Sequence, residues 1–317
     1  MAFAKSSKTA LVVAGLGFGV ALGVAAGTLV IAPNMDGTAA VGSSNSEALR
    51  EEHRSLLQEN KEIQAQSDSA DTLVNELSAD AIRDSLTDRD VAIIAAGDAS
   101  ENDVAGVRDK LNAAGAIDSG TITLTNEFLH PDGADKLKSI VANVLPAGAE
   151  LDEQDLSAGR HTGQALAAAL LRNPDTTEPL ASPEDRGALL QALREAGFLD
   201  YEDGTILPAQ AVVVVMGKGG GEYYHDNLVA FANSLNEAGS YSVLAGNLQA
   251  VGEGGVIDTL RQEAADEDDA EAISTVDSIN RDFSQLAVVL AVVEQLEGGS
   301  GAYGASEAAD TAAPPLP

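Results

Sequence analysis

The sequence predicts an α/β fold carried behind a single N-terminal transmembrane helix and a coiled-coil stalk. Three observations predict it. Residues 9–32 are uncharged, mostly apolar, and end at Pro33; leucines recur at seven-residue spacing from Leu49; and from Asp88 onward short apolar runs alternate with helical patterns.

A helix of the 24 residues from Thr9 to Ala32 is longer than the roughly 30 Å hydrocarbon core it would cross at about 1.5 Å per residue. A cleaved signal peptide is the competing reading, since Ala25, Ala26 and Gly27 are small. The apolar region of such peptides is about 7–15 residues, so the length favours a retained anchor. Lys5 and Lys8 precede the span and Asp36 is the first charge after it. The positive-inside bias then places residues 1–8 in the cytoplasm and everything after Pro33 outside a plasma membrane crossed once. Gly15, Gly19, Gly23 and Gly27 repeat every four residues. On a helix they form one stripe, which lets a second helix approach closely.

A linker at 33–45 leads into a predicted coiled coil at 46–86, free of Gly and Pro. Leu49, Leu56, Ile63, Ala70 and Leu77 occupy d positions; His53, Asn60, Ser67, Val74 and Ala81 occupy a positions. Only Val74 and Ala81 are apolar at a, so self-pairing is weak, although Asn60 at a is compatible with a dimer. Two readings stay open: a solvated stalk, or a docking helix whose partner supplies the better seam.

The domain at 87–297 follows as strand, helix, strand, helix. Val91–Ala96 reads as a buried strand, Ser100-Glu101-Asn102-Asp103 as a capping box opening a helix to Ala114, and Thr121–Thr125 as the next strand. Helices are expected at Ala134–Val144, Gly163–Leu171 and, behind Ser182-Pro183-Glu184-Asp185, up to Ala196. Ala211–Met216 is the best central parallel strand, followed by a helix at Asp226–Ala238 and strands at Tyr241–Ala245 and Ile273–Val276. Asp282–Leu296, apolar on nearly every face, reads as a buried last helix. The alternation predicts a degenerate Rossmann-like layered domain with a mainly parallel sheet. The Ala/Gly/Ser/Pro-rich tail at 298–317 is expected to be disordered.

Composition narrows the function. The 317 residues carry 50 acidic and 18 basic side chains, a net charge of −32. With Lys5 and Lys8 set aside, 16 basic groups face all 50 acids, a net of −34 on the extracytoplasmic side. Nucleic acid is excluded as a partner, because its phosphates need basic patches. The absence of Cys excludes disulfides, thiolate nucleophiles and thiolate metal sites.

No constellation of residues carries catalysis. Gly217-Lys218-Gly219-Gly220-Gly221 follows a strand, as a phosphate-cradling turn would. However, Glu222 stands where the dinucleotide fingerprint needs Gly, and no Lys-Ser/Thr follows. A flexible turn is the expectation, and any small-molecule ligand there stays open. His53, His130, His161 and His225 lack metal-pair spacing, and the three methionines are scattered, whereas Cu(I) wants clustered soft ligands. The acids from Glu263 to Glu271 read as a solvated loop. The chain is expected to be non-catalytic, without cofactor or metal.

The order of these pieces, with Leu124-Thr125-Asn126-Glu127-Phe128, Leu145-Pro146-Ala147-Gly148 and Ile273-Ser274-Thr275-Val276-Asp277, resembles the actinobacterial MctB-like family over nearly the whole chain. That family is named for mycobacterial copper transport, and the resemblance implies copper efflux through a pore in the mycolic-acid outer membrane. Its SteB-like relatives in corynebacteria imply instead a septal role. There the partners would be a SteA-like membrane protein and a peptidoglycan hydrolase in cell separation. The resemblance brings no ligand residues to positions here.

Overall fold

The computed structural model describes residues 44–239, 241–267 and 272–317. The chain divides into two compact units, Met1–Glu76 and Leu77–Pro317. The first is represented by most of helix α1 (Ser44–Ala81), which starts two residues before the expected coiled coil. The expected membrane span, with Gly15, Gly19, Gly23 and Gly27, lies outside the described residues. Among the described residues no helix is long and apolar enough to cross a membrane.

The second unit is a three-layer α/β sandwich. Its elements run β1 (Asp90–Ala95), α2 (Glu101–Ala113), β2 (Ile117–Leu124), α3 (Ala134–Asn143), α4 (Ala158–Leu170), α5 (Pro183–Glu195), β3 (Leu199–Tyr201), β4 (Ala211–Val215), α6 (Glu222–Glu237), β5 (Tyr241–Ala245), α7 (Val256–Glu267), β6 (Ser274–Val276), α8 (Asp282–Leu296) and β7 (Ala302–Tyr303). The sheet order is β3-β2-β1-β4-β5-β6-β7. Every pairing is parallel except β2 with β3.

Period-two alternation divides the core. Ile94, Ile122, Val212, Val214 and Leu244 face α3 to α7, while Val91, Ile93, Val213, Val215 and Val243 face α2 and α8. Because both faces are covered, β4 is buried from end to end, which is why it reads as an unbroken valine run. Ile82 and Leu86, just past α1, are fully buried in the α2–α8 cluster.

Several elements depart from expectation. The tail at 298–317 is not disordered: Ala302–Tyr303 forms β7 beside β6, and Tyr303 is buried. Helix α4 begins at Ala158 rather than Gly163, because Ser157 accepts the Arg160 N–H at 3.3 Å and caps it. Helix α7 carries Glu263, so the acidic stretch begins on a helix, and residues 268–271 lie outside the described ones. Strand β3 is a three-residue edge element held by three register pairs to β2.

Candidate functional site

In a doubly wound sheet, ligands bind beyond the carboxyl ends of the strands where strand order reverses. Here that point lies between β1 and β4. Ala96-Gly97-Asp98 leaves the first strand and Met216-Gly217-Lys218-Gly219 leaves the second. The Asp98 carboxylate sits in the glycine turn. It accepts the Gly217 N–H at 3.1 Å through Oδ1 and the Gly219 N–H at 3.0 Å through Oδ2. The Tyr224 hydroxyl donates to Oδ1 at 2.6 Å. Two backbone N–H groups converging on one acceptor form an anion nest, and the anion held there belongs to the chain itself. Burial, then the bond and charge of Asp98, push the Tyr224 phenol far above its ordinary pKa.

The turn is therefore tied rather than flexible. Gly217 is required there: a Cβ would stand 2.2 Å from the Asp98 carbonyl oxygen. Sequence reasoning missed Asp98. Its signal was Gly97-Asp98 directly after the first strand, in the place where the fourth strand carries Gly217-Lys218.

The histidines play separate local parts. His225 Nδ1 lies 2.8 Å from Asp226 Oδ1 and its Nε2 lies 2.8 Å from Thr259 Oγ1, tying α6 to α7. His161 Nε2 contacts the Asp152 carbonyl at 2.9 Å, and His130 Nδ1 accepts the Asp132 N–H at 3.4 Å. Among the described residues no three His, Cys, Asp or Glu side chains gather as a metal-holding group.

A second polar cluster lies at the β6–β7 edge. Asp277, fully buried, pairs with Arg261 at 3.2 Å. It also accepts the Ala305 N–H at 2.7 Å and the Ser306 hydroxyl at 2.6 Å. Arg261 donates to Thr275 Oγ1 and Ser306 Oγ, both at 2.9 Å, and to the Tyr303 carbonyl at 2.8 Å. Burial lowers the Arg261 pKa, and the Asp277 carboxylate opposes that shift. These bonds are satisfied within the protein and hold the C-terminal segment on the sheet.

The expected seam lies along α1. His53 and Asn60 are exposed, and the Asn60 amide folds back to the Leu56 carbonyl at 2.9 Å. Ile63, Ser67, Ala70, Val74 and Ala81 are half-buried. Leu56 and Leu77 are 46% and 63% exposed. Leu49 lies in the helix. Sequence reasoning missed Leu57 and Leu73, 49% and 56% exposed. Each flanks the seam, at e and g, and widens its apolar stripe.

The motifs that carried the resemblance fall at structural junctions. Leu124–Phe128 ends β2, where the Phe128 carbonyl accepts from the buried Asn227 amide at 3.0 Å. Ile273–Asp277 spans β6 and the buried carboxylate.

The family described as "Copper transport outer membrane protein, MctB" matches residues 7–314. Relatives called "Copper transporter MctB" in Mycobacterium tuberculosis and Mycobacterium bovis are 32% identical over 278 residues, 83% of this chain and 87% of theirs. The Mycobacterium leprae protein of the same name is 30% identical over 247 residues, 74% of this chain and 76% of its own. With the match running from one end to the other, the chain is a member of the MctB family.

Proposed function

We propose that this MctB-family chain is a non-catalytic, membrane-anchored interaction scaffold of the cell envelope. Residues 9–32 anchor it, residues 1–8 stay in the cytoplasm, and the α/β domain lies outside. Helix α1 docks a membrane-protein partner, SteA-like in kind, or a second copy. Through that contact the chain acts at the septum in the control of a peptidoglycan hydrolase and of cell separation. The observation that carries this reading is the set of exposed leucines, Leu56, Leu57 and Leu73, at and on either side of the expected seam of a helix of 38 residues. Contiguous exposed apolar patches mark interaction sites, and an amphipathic helix docks by laying such a face into a partner's groove. The Asp98-filled turn adds support, because a scaffold needs no open nucleotide pocket.

The test is a Leu56→Ser/Leu57→Ser/Leu73→Ser variant of the full chain in its native membrane. It should lose co-purification with its membrane partner and delay cell separation. Unchanged co-purification and unchanged separation would defeat the reading.

Copper efflux is the second reading, favoured by the printed names of the family and its mycobacterial relatives. Against copper being handled by this chain's own side chains stands its ligand chemistry, with no Cys and three Met. Met216, one of the three, is fully buried at the end of β4. Deletion strains that become copper-sensitive while still separating normally would favour the copper reading over the scaffold.

A further inference from the structure

At the β3 edge of the sheet, α5 and the segment from Tyr201 to Ile206 flank an open cleft of about 710 Å³. That size lies within the roughly 300–1,000 Å³ of small-molecule sites. Arg186, Gly187, Leu190, Arg194, Tyr201 and Ile206 are among its lining residues. Two of these stand apart: an arginine with a nitrogen the fold leaves without a partner, and a helix glycine that no neighbouring atom requires.

The first is Arg186. Its Nη1 is buried and has no hydrogen-bond partner. Burial, and the neighbouring Arg172 charge, disfavour its charged form. A guanidinium stays protonated regardless, so the protein leaves this charge without a counter-group among the described residues. The other cation in the cleft is committed: Arg194 pairs with Asp203 and Asp200 and lies 4.8 Å over the Tyr201 ring. Glu195 is held by the Gln191 amide at 2.7 Å.

The second is Gly187, near the middle of α5. Glycine in a helix interior costs about 1 kcal/mol against alanine. Nothing here obliges it, since a Cβ would meet no atom within 4 Å. What the missing side chain leaves is room, beside Arg186 and in the cleft.

We propose that this cleft binds a small ligand with an apolar body and a single carboxylate, anchored by Arg186 over the floor at Gly187. One uncommitted guanidinium matches one carboxylate, which it can hold through paired N–H donors. Leu190 and Ile206 receive the apolar body. Asp203 and Glu195 at the cleft disfavour a second negative charge. This inference stands apart from the scaffold reading.

The test is saturation-transfer NMR on the full chain purified in detergent, with N-acetyl-leucine, its uncharged amide and inorganic phosphate as probes. N-acetyl-leucine should give a saturable signal that the amide does not. Binding should weaken about tenfold or more in Arg186→Gln and in Gly187→Leu. No signal, equal binding of the amide, binding unchanged in both variants, or preference for phosphate would each overturn the proposal. Thermal melts of Arg186→Met and Gly187→Ala supply a second readout. Both should hold or raise the Tm, since neither residue serves the empty fold. A Tm several degrees lower in Arg186→Met would make Arg186 a structural residue and overturn the assignment.

Discussion

The Asp98 carboxylate and the Tyr224 hydroxyl, 126 residues apart in sequence, meet at 2.6 Å across the point where the sheet reverses its strand order. Together with the Gly217 and Gly219 N–H groups, Tyr224 gives Asp98 three donors. The place where related architectures hold a ligand's phosphate is filled by a side chain.

Replacing Asp98 with Ala frees those three donors at once. Bonds to a charged acceptor contribute about 1.5–3 kcal/mol each, with losses in one cluster falling short of additive. The variant should lose about 2–3 kcal/mol in urea unfolding. Inorganic phosphate should then raise its Tm more than that of the parent chain, because the emptied nest accepts an anion. Equal phosphate responses would show that the nest does not survive without its carboxylate.

Gly217 and Gly221 should respond oppositely to substitution. Gly217→Ala drives a Cβ to 2.2 Å from the Asp98 carbonyl oxygen and should cost about 1–3 kcal/mol through forced backbone movement. Gly221 caps α6 with φ −76° and no side-chain bond, and a Cβ there meets nothing within 4 Å. Gly221→Ser should be neutral or gain a few tenths of a kcal/mol by supplying the cap. Paired denaturation curves decide it; equal tolerance would mean a loose turn.

Tyr224 sets an alkaline limit. Its phenol is raised in the folded state by burial and by Asp98, while the unfolded phenol titrates near pH 10. Above about pH 10 the unfolded state sheds a proton that the folded state keeps, so stability falls as pH rises. Tyr224→Phe should be less stable at pH 7 yet show a shallower alkaline decline. Stability measured from about pH 8 to 11 reads both, and an unchanged slope would remove Tyr224 as the source.

Asp277→Ala should release the C-terminal segment. It leaves Arg261 buried without its carboxylate and strips the acceptor from Ala305 and Ser306. Breaking a buried pair from one side costs about 3–5 kcal/mol. Limited proteolysis should cut the variant within residues 298–317 while the parent resists. A parent cut equally fast would show that the cluster does not hold the tail.

What could be read in advance follows from where each signal is stored. Elements whose stability is written locally were legible: β4 as a valine run, α5 from Ser182-Pro183, α8 from its apolar faces, each within about a residue of its observed bounds. Strand β3 escaped because Leu199-Asp200-Tyr201 has no pattern of its own and exists through pairing with β2. Strand β7 escaped for the same reason, with Gly and Ala composition hiding a buried Tyr303. At the switch point the glycines were visible, but Asp98 was not. Gly97-Asp98 marked a turn after β1, but nothing local told that its carboxylate would close a turn more than a hundred residues away, and the expectation of a loose turn failed for that reason. Helix α1 was legible from its Gly- and Pro-free stretch, while the exposed Leu57 and Leu73 fell outside the strict two-position heptad expected along it.

The order in which the buried cluster is built has a consequence for synthesis. Arg261 and Asp277 leave the ribosome before Tyr303 and Ser306, and β7 is the last strand among the described residues. Until those later residues arrive, the sheet ends at an unfinished edge with a guanidinium and a carboxylate short of their acceptors and donors. A chain cut short before Tyr303 would hold nearly all of its apolar core and still carry that deficit. The segment with Tyr303 and Ser306 thus closes a polar interior laid down earlier in the chain, and the fold of the sheet edge waits on it.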